Sequence, residues 1–406
     1  MQQPNDFTPV TRLSLAVIVV LYLAHALPLY FFNVALPAIL RSQGVDLRWI
    51  GMLALLYIPW AFKFLWAPLV DRYYLHALGR RRSWLWLTQA ALVAGLLALA
   101  VSGLEHGLLL FVLIGLWIST FAATQDIAID GYTVESLATE EHRLGSMAQS
   151  MGVALGSMLG GAGVLWLYQA AGWQTALLTL AALAALPMLA VARVEERHSQ
   201  AAERPSFIHT LRRPEMRWAL LLILLYRAVE APAMAMLTPL LVDQQWSLAQ
   251  IGVLMSVAGA SIGLLAAVLT ARALKTQAPE VLLIRAGWWR SGIYLLFAAL
   301  LASGLAATST PWLGLVVLAT LALRYMAMTS LYALFMRLCS RQQAGTDFTV
   351  LVCFELLVFF IGGSLSGFLA KGLGYASYYL LLGGLSVLSV LVCKPLIKKL
   401  SSGFAS

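Results

Sequence analysis

Two acids stand four residues apart in ATQDIAIDGYTVESL (123–137), at the end of a long apolar run. Asp126 and Asp130 therefore share one face of a helix. Two carboxylates held that close repel unless a cation intervenes. Lys63, the lone charge in LLYIPWAFKFLWAPLV (55–70), lies at similar depth and is the expected partner. A second set lies in the other half of the chain. Arg227 and Glu230 are three apart and adjoin on a helix surface, while Arg324, Glu355 and His25 sit near the middle of further apolar runs. A charge at the centre of a bilayer costs at least ~2.5–3.5 kcal/mol, so each of these groups needs a counter-charge or a path for water and substrate. Their chemistry would be proton exchange on the acids and recognition of an anionic group by the arginines. The competing reading is a static Arg227–Glu230 or Arg324–Glu355 pair that only holds helices together, and for His25 a hydrogen bond to a neighbour.

The elements that must position these groups are membrane helices. Of 406 residues, 61% are hydrophobic and 11% charged, whereas a soluble protein carries about 25% charged residues. Apolar runs of about 20 residues recur, each long enough to cross a ~30 Å hydrocarbon core, and their continuity excludes a β-barrel. Twelve spans are expected, at 13–36, 49–69, 84–103, 107–133, 144–168, 172–192, 217–242, 248–272, 286–306, 311–336, 346–370 and 374–393. The first is too long for a cleavable signal and runs on into FFNVALPAIL. The fold class is thus an all-α polytopic membrane protein.

Charge sets the orientation. With the N-terminus inside, 21 of the 27 lysines and arginines, Arg285 and Arg290 among them, fall in cytoplasmic segments or their edges. Arg41, Arg48 and Lys371 fall opposite, and Lys63, Arg227 and Arg324 within spans. Both termini are expected in the cytoplasm. The net charge of +9 is then a topology signal, and nucleic acid is not an expected partner. Cys339, Cys353 and Cys393 have no metal-type spacing and read as small apolar residues; no metal or cofactor is expected.

The polar segment RVEERHSQAAERPSFIHTLRRPEMR (193–217) separates six spans from six. The expected organisation is a six-helix bundle over 1–192, a cytoplasmic linker over 193–216, and a second bundle with a short tail over 217–406. Leu-x-x-Ile-Gly recurs in LRWIGMLALL (47–56) and LAQIGVLMSV (248–257), and Tyr22 and Pro28 have counterparts in Tyr226 and Pro232. Repeated six-helix halves are a transporter architecture. The first and seventh spans each carry two prolines, Pro28 and Pro37, then Pro232 and Pro239. Each removes a helical hydrogen bond and invites a kink. In the second span Tyr57, Trp60 and Phe64 follow helical spacing, and Tyr22, Tyr226, Tyr325 and Tyr332 are further candidates for a stacking surface.

The stretch APLVDRYYLHALGRRRS (67–83) resembles the signature loop of the major facilitator superfamily, with a longer gap between Asp71-Arg72 and Gly79-Arg80-Arg81-Arg82. KFLWAPLVDR (63–72), TQDIAIDGYTVESL (124–137), LLYRAVEAPAMAMLTPLLVD (224–243) and LFMRLCSRQQAGTDFTVL (334–351) resemble the branch that holds muropeptide permeases, acetyl-CoA transporters and short ferric-siderophore permeases. The resemblance implies that Asp71 stabilises one conformation at the interface between halves, drawn to the start of the eleventh span near Thr346, whose helix dipole is positive there. Lys63, Asp71, Arg72, Asp126 and Asp130 are the expected cytoplasmic gate. For Arg80–Arg82 simple anchoring on the positive-inside face is expected, and Glu135, Glu140 and Glu141 are expected in water. Arg227, Glu230, Arg324, Glu355, His25, Tyr57 and Trp60 are the expected substrate or proton sites. The compact length and the AGTDFT wording resemble the siderophore group. The expected function is an inner-membrane, monomeric secondary transporter that imports a ferric siderophore with protons by alternating access. A muropeptide is the alternative solute, and a membrane sensor or polytopic enzyme the alternative class. No G-x-x-x-x-G-K-[ST] loop and no H-E-x-x-H motif is present, which argues against ATP hydrolysis and zinc hydrolysis in this chain.

Overall fold

A computed structural model describes residues 12–43, 53–103, 107–194, 205–304 and 310–402. Among the described residues the regular structure is helical, with no strand. Among the described residues, each of the twelve expected spans overlaps helical structure. The reason is the solvent: in hydrocarbon, backbone polar groups must be satisfied within the segment. Eight helices are long and apolar enough to cross a membrane by length and composition. Two of them, of 53 and 54 residues, each contain an expected loop. Their helical runs break at Gly172 (φ 81°) and Gly374 (φ 74°), in a region that glycine enters without a Cβ clash. The second span is pieced together from a 3₁₀ turn Leu53–Tyr57, helix Ile58–Phe62, a 3₁₀ turn Lys63–Leu65 and helix Ala67–Arg72. Pro59 and Pro68 stand in the first turns of its two α-helical pieces, where a missing N–H costs nothing. The ninth span, Pro279–Ala302, begins seven residues before its expected start and carries Glu280, Arg285 and Arg290.

The prolines of the first and seventh spans have similar consequences. Pro28 lies in helix Arg12–Tyr30, which passes through a π-helical stretch, Phe31–Ala35, into Leu36–Ser42. Pro232 lies in helix Pro214–Ala235, which is interrupted at Met236 before Leu237–Asp243.

The chain packs as two compact units. The first comprises Met1–Phe207 with Cys339–Val350; the second comprises Ile208–Leu338 with Leu351–Ser406. The stretch joining the tenth and eleventh spans thus belongs by packing to the first unit. Within that unit the fifth span lies tight against the first. A Cβ added at Gly152, Gly156 or Gly160 would collide with Tyr22, Ala26 or the Leu27 carbonyl. Small residues at every fourth position let two backbones approach where no hydrophobic force drives helices together in lipid. Leu27, Phe31, Leu92, Leu96, Ile118 and Leu180 form one apolar core, and Ile18, Leu21, Ile127 and Ile129 belong to another. The second unit packs around Leu237, Leu240, Tyr294, Phe297, Val317 and Tyr379.

Candidate functional site

In the first unit the expected lysine–aspartate pair is present. Lys63 Nζ is ion-paired with Asp126 Oδ2, and both side chains are buried. The 3₁₀ turn that starts at Lys63 places its ammonium against the helix Leu108–Ser136, which carries both acids. His25 Nε2 lies 3.2 Å from Asp126 Oδ1. The His25 ring is packed between Tyr22 and Trp60, with centroids 6.0 and 5.5 Å away, and Lys63 Nζ is 5.3 Å from the Trp60 ring. Asp130 does not share the lysine. Its Oδ1 accepts from the Tyr22 hydroxyl at 2.8 Å and from Gln149 Nε2 at 3.4 Å, while its Oδ2 is buried without a hydrogen-bond partner. Tyr57 stands apart from this set: its hydroxyl reaches the Leu29 carbonyl at 3.5 Å and its ring joins the apolar core. The mixed 3₁₀ and α geometry of this span also turns Phe64 away, its ring 5.9 Å from Phe207.

A second set surrounds Asp71, which is fully buried. Asp71 Oδ2 accepts from the Thr346 backbone N–H at 2.7 Å and from its hydroxyl at 2.6 Å. Thr346 lies in the first turn of the helix that begins at Ala344, where backbone donors lack intrahelical partners and the dipole favours an anion. Asp71 Oδ1 is 2.7 Å from Arg81 Nη2. Arg81 also grips Glu135, with Nε donating to Oε2 at 3.1 Å, and Arg80 Nη2 lies 2.6 Å from Glu135 Oε1. Arg80 Nη1 donates to the Gln342 carbonyl at 3.0 Å. Gly131 makes room for this crossing, because a Cβ there would strike the Arg81 guanidinium.

This set corrects two expectations, for Glu135 and for Arg80 and Arg81. Glu135 is not solvated; its side chain is 12% exposed and holds two arginines. Arg80 and Arg81 are buried ion-pair partners rather than surface anchors. Arg72, expected in the gate, is exposed and lies over the Tyr73 ring at 5.2 Å. The residue beside Asp71 in space is Arg81, brought back by the helix that starts at Arg80.

The second unit holds a larger buried charge set. Arg227 Nη1 is paired with Glu230 Oε1, and Arg227 Nε donates to Glu355 Oε1 at 2.7 Å. One arginine thus takes both glutamates, and the Arg324–Glu355 pair of the competing reading is not formed. Arg324 is half-buried with its guanidinium 5.3 Å from the Phe359 ring. Arg290 is a further member that sequence reasoning assigned to a cytoplasmic edge. It is 4% exposed and about 16 Å along its helix, donates to the Tyr226 carbonyl and Ser386 Oγ at 3.0 Å each, lies over the Tyr226 ring at 4.1 Å, and approaches Glu230 Oε2 at 3.8 Å. The missed signal was the start of the ninth span: Pro279 followed by Glu280 is an N-terminal pattern of a helix. A small, partly open cavity lies against this set and is lined by residues that include Tyr226, Glu230, Arg290, Tyr294, Thr320 and Arg324. Of the other tyrosines, Tyr332 stacks on Phe335 at 5.5 Å and Tyr325 packs against Gly263.

These arrangements suit controlled burial of charge inside helices, with proton or solute exchange at the buried groups. Comparison with known proteins identifies the family. The chain is 27% identical over 417 aligned residues to the anhydromuropeptide permease of Escherichia coli (strain K12), across 94% of this chain and 80% of that one. Its fold is similar to that of the human organic anion transporter MFSD10, with a TM-score of 0.74 at 18% identity over 95% of this chain and 100% of the other. It is also similar to the E. coli fucose:proton symporter FucP, with a TM-score of 0.71 at 12% identity over 94% and 98% of the two chains. The model of the Major Facilitator Superfamily matches residues 18–354, so the chain belongs to that superfamily, a multi-pass membrane transporter and not an enzyme.

Proposed function

We propose that this transporter carries anhydromuropeptides, sugars linked to a short peptide, across the bacterial inner membrane into the cytoplasm, with both termini on the cytoplasmic side and with protons as the coupling ion. The observation that carries the reading is the similarity to the E. coli anhydromuropeptide permease, which runs through both halves of the chain. It favours the sugar–peptide solute over the ferric siderophore suggested by the AGTDFT wording. Coupling to protons is supported by the first unit's buried acids, where Asp126 has a fixed cation and Asp130 has only neutral donors. A carboxylate held by neutral donors in hydrocarbon gains most from taking up a proton. The Asp71–Thr346 contact fits a cytoplasmic latch that must open and reform in each cycle. The test is uptake of labelled anhydromuropeptide and labelled ferric siderophore into cells whose only permease for either is this protein. Anhydromuropeptide accumulation that a protonophore abolishes is expected. Accumulation of siderophore alone overturns the reading.

A further inference from the structure

The second unit's charges do not balance. The buried Arg227 and Arg290 offset Glu230 and Glu355, and the half-buried Arg324 on the same cavity wall adds one further positive charge. Arg227 is consumed by the two glutamates, with Glu355 entirely on its side. Arg290 is 3.8 Å from Glu230 and has Nη2 buried without a hydrogen-bond partner. Arg324 rests on an aromatic face, which supplies only a fraction of what a carboxylate does.

The cavity collects the unmet donors. Besides Arg290 and Arg324, its wall carries the hydroxyls of Tyr226 and Tyr294, both buried and both without a hydrogen-bond partner. The unmet acceptor on the same wall is Glu230 Oε2. A wall rich in donors with one surplus positive charge selects an anion with two or more acceptor oxygens. The space open to a solvent-sized group is far smaller than the ~300–1,000 Å³ of pockets that enclose whole drug-sized ligands, so it suits a small head group and not a sugar–peptide.

We infer that this cavity is a subsite for one carboxylate, held by Arg324 and Arg290 Nη2 with the Tyr226 and Tyr294 hydroxyls as supporting donors. Its entry brings the charge of the set to zero. That the carboxylate is the peptide end of an anhydromuropeptide rests on the function proposed above. The subsite itself rests on the charge count and the donors.

Both can be tested separately on the full-length protein in lipid nanodiscs. Binding of N-acetyl-Ala-Ala and of its C-terminal amide is measured by calorimetry. The acid should bind about tenfold tighter than the amide, as expected when a charge-assisted contact is added. Arg324→Gln should bring the two within about twofold, and Arg324→Lys should retain part of the preference, because charge survives while the planar fork is lost. Tyr294→Phe, which keeps the ring and its packing, should weaken the acid about threefold and leave the amide unchanged. It serves as the deciding variant if Arg324→Gln does not fold. Equal binding of acid and amide, binding of neither, or a preference that survives both Arg324→Gln and Arg290→Gln overturns the subsite. An acid preference without uptake of anhydromuropeptide leaves the subsite standing and removes the function proposed above. Uptake without an acid preference does the reverse.

Discussion

The two units handle buried charge in opposite ways. In the first, one lysine stands against two aspartates and pairs with Asp126 alone; Tyr22 and Gln149 donate to Asp130, and the His25 imidazole, counted here as neutral, lies beside Asp126. In the second, two arginines meet two glutamates and a third, Arg324, lies over an aromatic ring. One set is short of a positive charge and the other of a negative one. A static set that only fastened helices would be expected to balance, because each uncompensated charge in hydrocarbon costs several kcal/mol. The set around Asp71 does balance, with Arg80 and Arg81 against Asp71 and Glu135. The difference teaches where the missing ions come from. On the function proposed above a proton completes the first set, and on the subsite inferred above a carboxylate completes the second. A transporter that moves both in one cycle keeps each site neutral when loaded.

The comparison predicts unequal sensitivity. Lys63 is the first set's one fixed cation among the described residues. Lys63→Ala leaves Asp126 and Asp130 buried against each other, and the loss of a buried partner typically costs ~3–5 kcal/mol. Uptake at matched expression should fall more than about tenfold, which needs only ~1.4 kcal/mol of that penalty in the rate-limiting state. Lys63→Ala/Asp126→Asn should recover part of the loss, with a coupling of about 0.5–3 kcal/mol in a double-mutant cycle. Additive losses would break the pairing on which the comparison stands.

The second set has a reserve, so its equivalent lesion should be milder. Arg227→Gln leaves Glu230 with Arg290 already 3.8 Å away, and strands only Glu355. The decrease in uptake should be about threefold to tenfold and should be largely repaired in Arg227→Gln/Glu355→Gln, where the stranded carboxylate is gone. If Arg227→Gln is as damaging as Lys63→Ala and the second substitution repairs nothing, the arginine set has no reserve and the contrast between the units fails.

Which parts of this were legible in the sequence follows from what counting residues can measure. Depth along a helix is a product of residue number and rise, and it placed Lys63 level with Asp126 and Asp71 near the start of the eleventh span. The spans themselves were legible because ~20 apolar residues have few other uses. Azimuth is not a product of counting. Glu355 could face Arg324 or Arg227, and only the packed rotation of its helix directs it to Arg227. Arg290 was hidden by its neighbours: with Glu280 and Arg285 upstream, the apolar run begins late, although the helix begins at Pro279. Glu135 was hidden because its partners, Arg80 and Arg81, are more than fifty residues away and themselves read as a positive-inside flag.

The smallest expected effect sharpens the role of the balanced set. Arg72 and Arg81 both lie close to Asp71 in sequence, and both are arginines of the same signature loop. Arg72 is exposed and lies over its neighbour Tyr73, a contact worth about 0.5–1 kcal/mol at an exposed site. Arg81 is buried between Asp71 and Glu135, and Gly131 is kept bare to admit it. Arg72→Ala should therefore change uptake by less than about twofold and leave the melting temperature near that of the parent, as surface substitutions do. Arg81→Ala should lower both, because it strands two carboxylates, and Gly131→Ala should lower both without touching any charge, by pushing the guanidinium off its partners. Uptake and thermal unfolding of the three variants in the same membranes decide the matter. If Arg72→Ala proves the most damaging of the three, the loop acts through its exposed face, and the buried network around Asp71 is not what holds the start of the eleventh span.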